Sequence, residues 1–207
     1  MNYEKCGMND VKIVNEELKG ILNGISDIIQ SVDIDLIRQI PRDENAEDWC
    51  SEDYRKYIVS KGREHEGYPE MLLGAGLQFG EFEYEGEGKL PIITGMEKCV
   101  TELCTWSGAH RRALSALYPP GGFISWHNNA NAGGYNVLFT WSQNGDGQWE
   151  HIQPNTGEHI VIPDVKGWQC KFGYYGRYDE PNFLLYHCAR TNCLRATVAL
   201  SLIHISE

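Results

Sequence analysis

Tyr118-Pro-Pro-Gly-Gly-Phe-Ile-Ser-Trp-His-Asn-Asn129 reads as a short turn feeding a strand that presents His127 two residues before Asn129. In an extended chain, residues two apart point to the same side. Phe123, Ser125, His127 and Asn129 are therefore expected on one face. A second histidine, His187, closes another strand-like run, Asn182-Phe-Leu-Leu-Tyr-His187. The run after it, Cys193-Leu-Arg-Ala-Thr-Val-Ala-Leu-Ser-Leu-Ile203, places Arg195, Thr197, Ala199 and Ser201 on one face and Leu194, Ala196, Val198, Leu200 and Leu202 on the other. One face thus offers a metal pair and a neighbouring strand a buried arginine. The rest of the chain is expected to hold these three strands together.

The 207 residues suit one large domain or a domain with an extension. Twenty-two glycines and scattered turn signals favour β-structure over a helix bundle. A net charge of -11 disfavours a protein that holds nucleic acid by broad phosphate neutralisation, which needs a basic face. Arg111-Arg112, the one adjacent basic pair in the second half, is expected to be an edge or surface feature. Seven cysteines occur with no C-x-x-C pair, so reduced thiols of a cytoplasmic protein are expected rather than a zinc site. The start lacks the basic-then-apolar order of a secretory signal. No apolar run approaches the ~20 residues of a membrane helix.

Val14, Leu18, Ile21, Leu22, Ile25, Ile28 and Ile29 recur at three- and four-residue steps and predict an amphipathic helix. Ser51 predicts the N-cap of a short helix through Tyr54, Tyr57 and Ile58, ending near Gly62. The stretch Gly80-Glu-Phe-Glu-Tyr-Glu-Gly-Glu-Gly88 suits an exposed strand or solvated loop, with a lid as the alternative. Thr94-x-x-Glu97 is a capping-box pattern opening a helix with Met96, Val100 and Leu103 on one side and Gly108 just past its end.

Beyond Ala109 about eight strand candidates follow: 112–118, 123–129, 135–141, 148–152, 159–163, 169–174, 183–187 and 194–203. Turn residues separate them, as in Gly133-Gly134, Asn144-Gly-Asp-Gly147 and Asp164 to Gly167. Regular short strands of this kind indicate a sandwich or jelly roll. The expected class is α+β, with residues 1–110 a mainly helical extension packed outside a jelly-roll core of residues 111–207, as one compact unit. On the strand 135–141, Asn136 and Thr140 fall opposite Tyr135, Val137, Phe139 and Trp141 and would be polar pocket residues if that face points inward.

Two histidines on separate strands can bind one divalent ion and leave coordination positions free. Two histidines and a carboxylate on one face of an octahedron mark mononuclear non-haem iron oxygenases. A buried arginine would hold a carboxylate by a two-point salt bridge, with the hydroxyl of Thr197 beside it.

From about Tyr118 to Leu200 the chain resembles the iron(II)/2-oxoglutarate-dependent oxygenase superfamily, especially its prolyl-hydroxylase-like branch. The order of parts carries the resemblance: a tyrosine and glycine ahead of a His-x-Asp, matched by Tyr118, Gly121 or Gly122, and His127; a glycine-rich turn, Gly145-Asp-Gly147; a second turn, Pro163 to Gly167; the second histidine, His187; and an Arg-x-Ser/Thr, Arg195-Ala-Thr197. The resemblance implies a double-stranded β-helix core with Fe(II) on His127 and His187. It further implies 2-oxoglutarate as co-substrate, its distal carboxylate gripped by Arg195 and Thr197 and its pocket lined by Tyr118, and dioxygen as oxidant. His127, His187 and Arg195 would be the catalytic set.

One departure stands out: Asn129 occupies the place of the family's metal-binding aspartate. Three arrangements are open. Asn129 ligates through its amide oxygen; two histidines plus water hold the metal; or Glu150 or Asp146 is recruited from a neighbouring strand or turn. The small residue of the related halogenases is missing at 129. His65, His110, His151, His159 and His204 are expected to be surface or structural, and Trp126, Trp141, Trp149 and Trp168 core or pocket wall. The expected function is hydroxylation of a peptide, amino acid or other small substrate by a cytoplasmic enzyme with no membrane or nucleic-acid partner. The alternative is a non-catalytic jelly-roll binding module. A cupin-like isomerase has no use for Arg195-x-Thr197. Nothing in the sequence sets an oligomeric state.

Overall fold

The computed structural model describes residues 7–33, 46–61, 72–73, 75–76, 89–109, 111–130 and 133–202. The Gly/Glu-rich stretch 80–88, Cys6, His65, His110 and His204 lie outside them. The chain begins with β1 (Met8–Val11) and α1 (Glu16–Ser31). Asn15 caps α1 by accepting the Leu18 N–H at 2.9 Å, satisfying one of the donors every helix start leaves open. The expected stripe is buried at Leu18, Leu22, Ile25 and Ile29, while Val14 lies ahead of the helix and is exposed. Next come α2 (Ala46–Trp49) and α3 (Glu52–Lys61). Ser51 caps α3 as its sequence predicts, its hydroxyl accepting the Tyr54 N–H at 3.1 Å.

Two-residue strands β2 (Leu72–Leu73) and β3 (Ala75–Gly76) precede α4 (Lys89–Ser107). Thr94 therefore lies inside α4 and does not open it. Ile92 already packs on the helix–sheet core, so tertiary packing carries the helix upstream past the capping pattern. Its far end matches expectation: Gly108 takes φ +65, a left-handed turn that suits glycine after a helix.

Eight strands follow: β4 (Arg111–Tyr118), β5 (Phe123–His127), β6 (Gly134–Ser142), β7 (Gly147–Ile152), β8 (His159–Pro163), β9 (Gly167–Tyr175), β10 (His187–Thr191) and β11 (Arg195–Ser201). They divide between two antiparallel sheets, ordered β1-β9-β6-β11-β4-β3 and β2-β5-β10-β7-β8. This is a mixed helix and antiparallel-sheet fold. Arg111 and Arg112 begin β4, with side chains outside the described ones.

Period-two alternation sorts each strand between two environments. Leu117, Phe139, Trp141, Cys170, Ala196, Val198 and Leu200 of the larger sheet pack under α1 and α4. Tyr118, Leu138, Tyr175 and Ala199 turn the other way and meet Ile124, Trp149 and Ala189 of the smaller sheet. The outer face of that sheet carries Phe123, Trp126 and Cys188, covered by Cys50 and Ile58 and flanked by Trp49 and Tyr54. Both sheets therefore have helical covers, and the space between them is lined by alternate residues of each.

Two strand boundaries differ from expectation. Pro181–Phe183 is a single 3-10 turn, so His187 opens β10 instead of closing a strand. Gly176 makes room for this turn: its N–H donates to the Phe183 carbonyl at 2.9 Å, and a Cβ on residue 176 would overlap the Phe183 backbone. On β5, His127 pairs with His187 but Ile124 pairs with Ala189, leaving an extra residue on β5. That bulge shifts the alternation by one. Phe123 consequently lies on the outer face and Ile124, not Phe123, shares the inner one with His127.

Candidate functional site

His127 and His187 face each other across the β5–β10 pairing, both buried, with ring centroids 4.1 Å apart. Each Nδ1 lies against the carbonyl oxygen two residues earlier: Ser125 at 2.7 Å for His127 and Leu185 at 2.9 Å for His187. If each Nδ1–H donates there, each Nε2 keeps its lone pair, the tautomer a metal needs. Burial, reinforced by the neighbouring His127, holds His187 well below the usual histidine range. An uncharged imidazole is the form that binds a cation. The donor chemistry of the two rings therefore fits a divalent transition metal. Tyr175 and Trp149 wall the His187 ring at 5.1 and 5.6 Å.

Asn129 is half-buried, two residues past the end of β5. The recruited-acid arrangement does not survive. Glu150 pairs with Cys188, on the face away from the histidines, and is bound there by His159 Nε2 at 2.8 Å, Gln148 Nε2 at 2.6 Å and Arg190 Nε at 3.2 Å. Asp146 lies at the opposite end of the β7–β10 ladder, where its carboxylate accepts from Asn192 at 3.2 Å. Among the described residues, no group of three or more His, Cys, Asp or Glu is placed to hold a metal ion.

Of the two expectations for His151, surface or structural, the structure excludes the surface. The residue pairs with His187 from the other side, so His127, His187 and His151 form one rung across β5, β10 and β7. It is 1% exposed, and burial pulls its pKa down to about 4. Its Nδ1 has no hydrogen-bond partner among the described residues. The signal for it lay in His151 and Trp149 alternating on β7, but the partner strand could not be assigned from sequence.

Arg195 is 1% exposed and lies on the same inter-sheet face as Thr197 and Tyr118. Its Nε donates to Asp164 Oδ2 at 2.8 Å and its Nη1 to Thr197 Oγ1 at 2.8 Å, while Nη2 has no partner among the described residues. The side chain thus keeps open N–H groups at Nη2 and one at Nη1, along the edge where a two-point grip was expected. Its guanidinium lies 5.6 Å from the centre of the Tyr118 ring, a cation–π distance. Burial pushes the Tyr118 hydroxyl up to about 12, against the opposing effect of Arg195, so it stays a neutral phenol.

Asp164 and Lys171 are the residues that sequence reading missed. Asp164 sits in the turn after β8, held by Gln169 Nε2 at 2.6 Å. Gly147 leaves room for it, since a Cβ there would come within 2.5 Å of its Oδ2. Lys171 pairs with Leu138 on β6 and points between the sheets, its side chain 1% exposed. Asn136, Thr140 and Ser142 are buried, and their strand-mate Leu138 lies between the sheets. The polar face of β6 therefore does point inward. Trp126 and Trp141 belong to the outer clusters and are core; Trp149 is the tryptophan beside the histidines. None of the six cysteines among the described residues forms a disulfide.

No protein-family model matches the chain, and no curated protein does. Solved structures give distant likenesses. A Pseudomonas putida prolyl-4-hydroxylase shares 13% identity at a TM-score of 0.36, over 86% of this chain and 99% of that one. A rice dioxygenase for auxin oxidation shares 14% at 0.36, over 96% and 74%. The dioxygenase for auxin oxidation 1 from Arabidopsis thaliana, in complex with 2-oxoglutarate, shares 12% at 0.39, over 99% and 85%. Among the described residues no helix is long and apolar enough to cross a membrane.

Proposed function

We propose that the chain is an iron(II)- and 2-oxoglutarate-dependent oxygenase of the prolyl-hydroxylase-like branch, hydroxylating a peptide, amino acid or other small substrate in the cytoplasm. The observation that carries this reading is the histidine pair on the smaller sheet, whose rings lie 4.1 Å apart facing the inter-sheet space that Arg195 enters from the larger sheet. From β4 to β11 the chain alternates between the two sheets except at β7 and β8, which stay together in the smaller one, and this supports a double-stranded β-helix, or jelly roll.

His127 and His187 would hold the metal through Nε2, with Asn129 a neutral third donor through its amide oxygen or a bystander to water. What such a centre supplies is oxidation by dioxygen coupled to conversion of 2-oxoglutarate to succinate and carbon dioxide. The chain's own residues do the rest. The carbonyls of Ser125 and Leu185 fix the ring orientations. Arg195 Nη2 donates to the distal carboxylate, with Thr197 and Asp164 holding the guanidinium in place. Trp149 and Tyr175 exclude water from the His187 side.

Purified protein given iron(II) and 2-oxoglutarate without oxygen is expected to develop a weak visible charge-transfer band, absent in His187→Ala. If neither iron nor 2-oxoglutarate binds, the reading is wrong. Succinate release over a panel of peptides and amino acids, for the natural chain and for Asn129→Asp, then finds the substrate class and shows whether the amide is an adapted ligand. A second reading, a binding module without catalysis, is favoured by the missing third acidic or histidine ligand among the described residues; the band separates the two.

A further inference from the structure

His151 is a buried base that the proposed chemistry leaves unused. Residues two apart on β7 share a face, so His151 points between the sheets as Trp149 does. The Trp149 ring lies 4.7 Å from that of His151 and 5.6 Å from that of His187, packed against both. His151 Nε2 lies 3.4 Å from Gln153 Oε1, an oxygen that only accepts, so Nε2 carries the hydrogen. A charged ring with that single long contact would be heavily penalised in the interior. The neutral ring leaves a bare lone pair on Nδ1, which has no partner among the described residues although the residue is 1% exposed. An unmet acceptor in a packed interior is destabilising, and native chains keep few of them. This one is remote from Arg195. Gly147, at the start of β7, abuts Asp164, the ion-pair partner of Arg195. His151 stands four residues further along the strand, about 13 Å at ~3.3 Å per residue, and level with the two metal-binding histidines.

We infer that His151 is a substrate-binding residue, its Nδ1 accepting a hydrogen bond from an N–H or O–H group of the substrate beside His187. That a substrate reaches this rung rests on the proposed function. The chemical class it must have there follows from the ring: a bare imidazole nitrogen attracts a polar hydrogen and repels a carboxylate. The substrate therefore presents an amide, amine or hydroxyl group at this point. Gln153 holds the ring to that role. Moving the hydrogen to Nδ1 would set Nε2 and Gln153 Oε1 against each other as two acceptors.

The tautomer is read by nitrogen NMR of metal-free protein carrying isotope-labelled histidine, with His151→Phe identifying the signal. A hydrogen on Nε2 and none on Nδ1 is expected; the opposite tautomer overturns the inference. Metal-free His151→Phe at neutral pH is expected to melt at or above the wild type, because an apolar ring of similar shape removes an unmet acceptor. A lower melt would show that Nδ1 serves the fold and would overturn it too. The peptides and amino acids of the succinate-release panel are then offered in pairs, one polar hydrogen intact or replaced by methyl. With iron(II) and 2-oxoglutarate, the wild type is expected to favour at least one intact member by about tenfold in kcat/KM, mostly through KM. His151→Phe should bring that preference within about threefold, and His151→Asn, whose Oδ1 can stand in for Nδ1, should restore it. No preference in the wild type, or one that survives in His151→Phe, overturns the inference. The iron band keeps the two readings apart. A band without a His151-dependent preference leaves the proposed function standing and removes this inference; no band in the wild type removes the proposed function and this inference with it.

Discussion

His151 is a base buried in its neutral form. Its pKa falls from 6.5 to about 4 on folding, so between those values the unfolded chain binds the proton and the folded one does not. Stability then rises with pH across that window, is complete above 6.5, and is lost as pH falls toward 4. His187, held low by burial, acts in the same direction. Urea unfolding of the metal-free protein is expected to show a loss of up to about 3 kcal/mol from neutral pH to about pH 4, part of it absent in His151→Gln. Asp164 is predicted to matter as much. Asp164→Asn leaves Arg195 with no counter-ion at Nε and should cost about 3–5 kcal/mol by the same measurement.

At the level of elements, the glycines of α1 can be separated by what faces them. Nothing lies within 4 Å of a Cβ placed on Gly20, so Gly20→Ala should raise stability by about 0.5–1 kcal/mol through helix propensity alone. Leu22, fully buried beneath the helix, should lose about 2–5 kcal/mol on change to alanine. Thermal melts of the two variants check both signs. The helices and strands were legible because each carries its own period: the α1 stripe, the Ser51 cap and the alternation of β6 and β11 all hold in three dimensions. What failed depends on partners. The β5 bulge arises from its register with β10, and no pattern within Phe123 to His127 signals it. Likewise the rung that joins His151 to His187 exists only once β7 and β10 lie side by side. The inward-facing strand positions of His127, His187 and Arg195 were legible because each sits in a strand-like run with local cues. Those of Lys171 and Asp164 were not, since a single charge in a strand or turn is usually a surface feature until burial shows otherwise.

For the whole molecule, charge and layering act together. The net charge of -11 resides on a chain whose inter-sheet space holds Arg195 and Lys171. A small anion therefore meets attraction only after entering, and an extended polyanion meets repulsion outside. Retention on immobilised DNA at low salt is expected to be nil; retention that falls with added salt would contradict this. Both sheets are roofed by helices on their outer faces, so among the described residues the inter-sheet space is lined mainly by strand residues, with Leu185 and Asp164 contributed by connections.

The absence of a side chain at Gly176 has a reach beyond its own turn. Phe183 leans into that gap only four positions ahead of His187, so the imidazole inherits its placement from a hydrogen atom on another strand's end. Installing a methyl group there would leave every ligand chemically intact yet displace one of them, yielding a protein that folds, keeps its thiols and charges, and mis-aims its second imidazole.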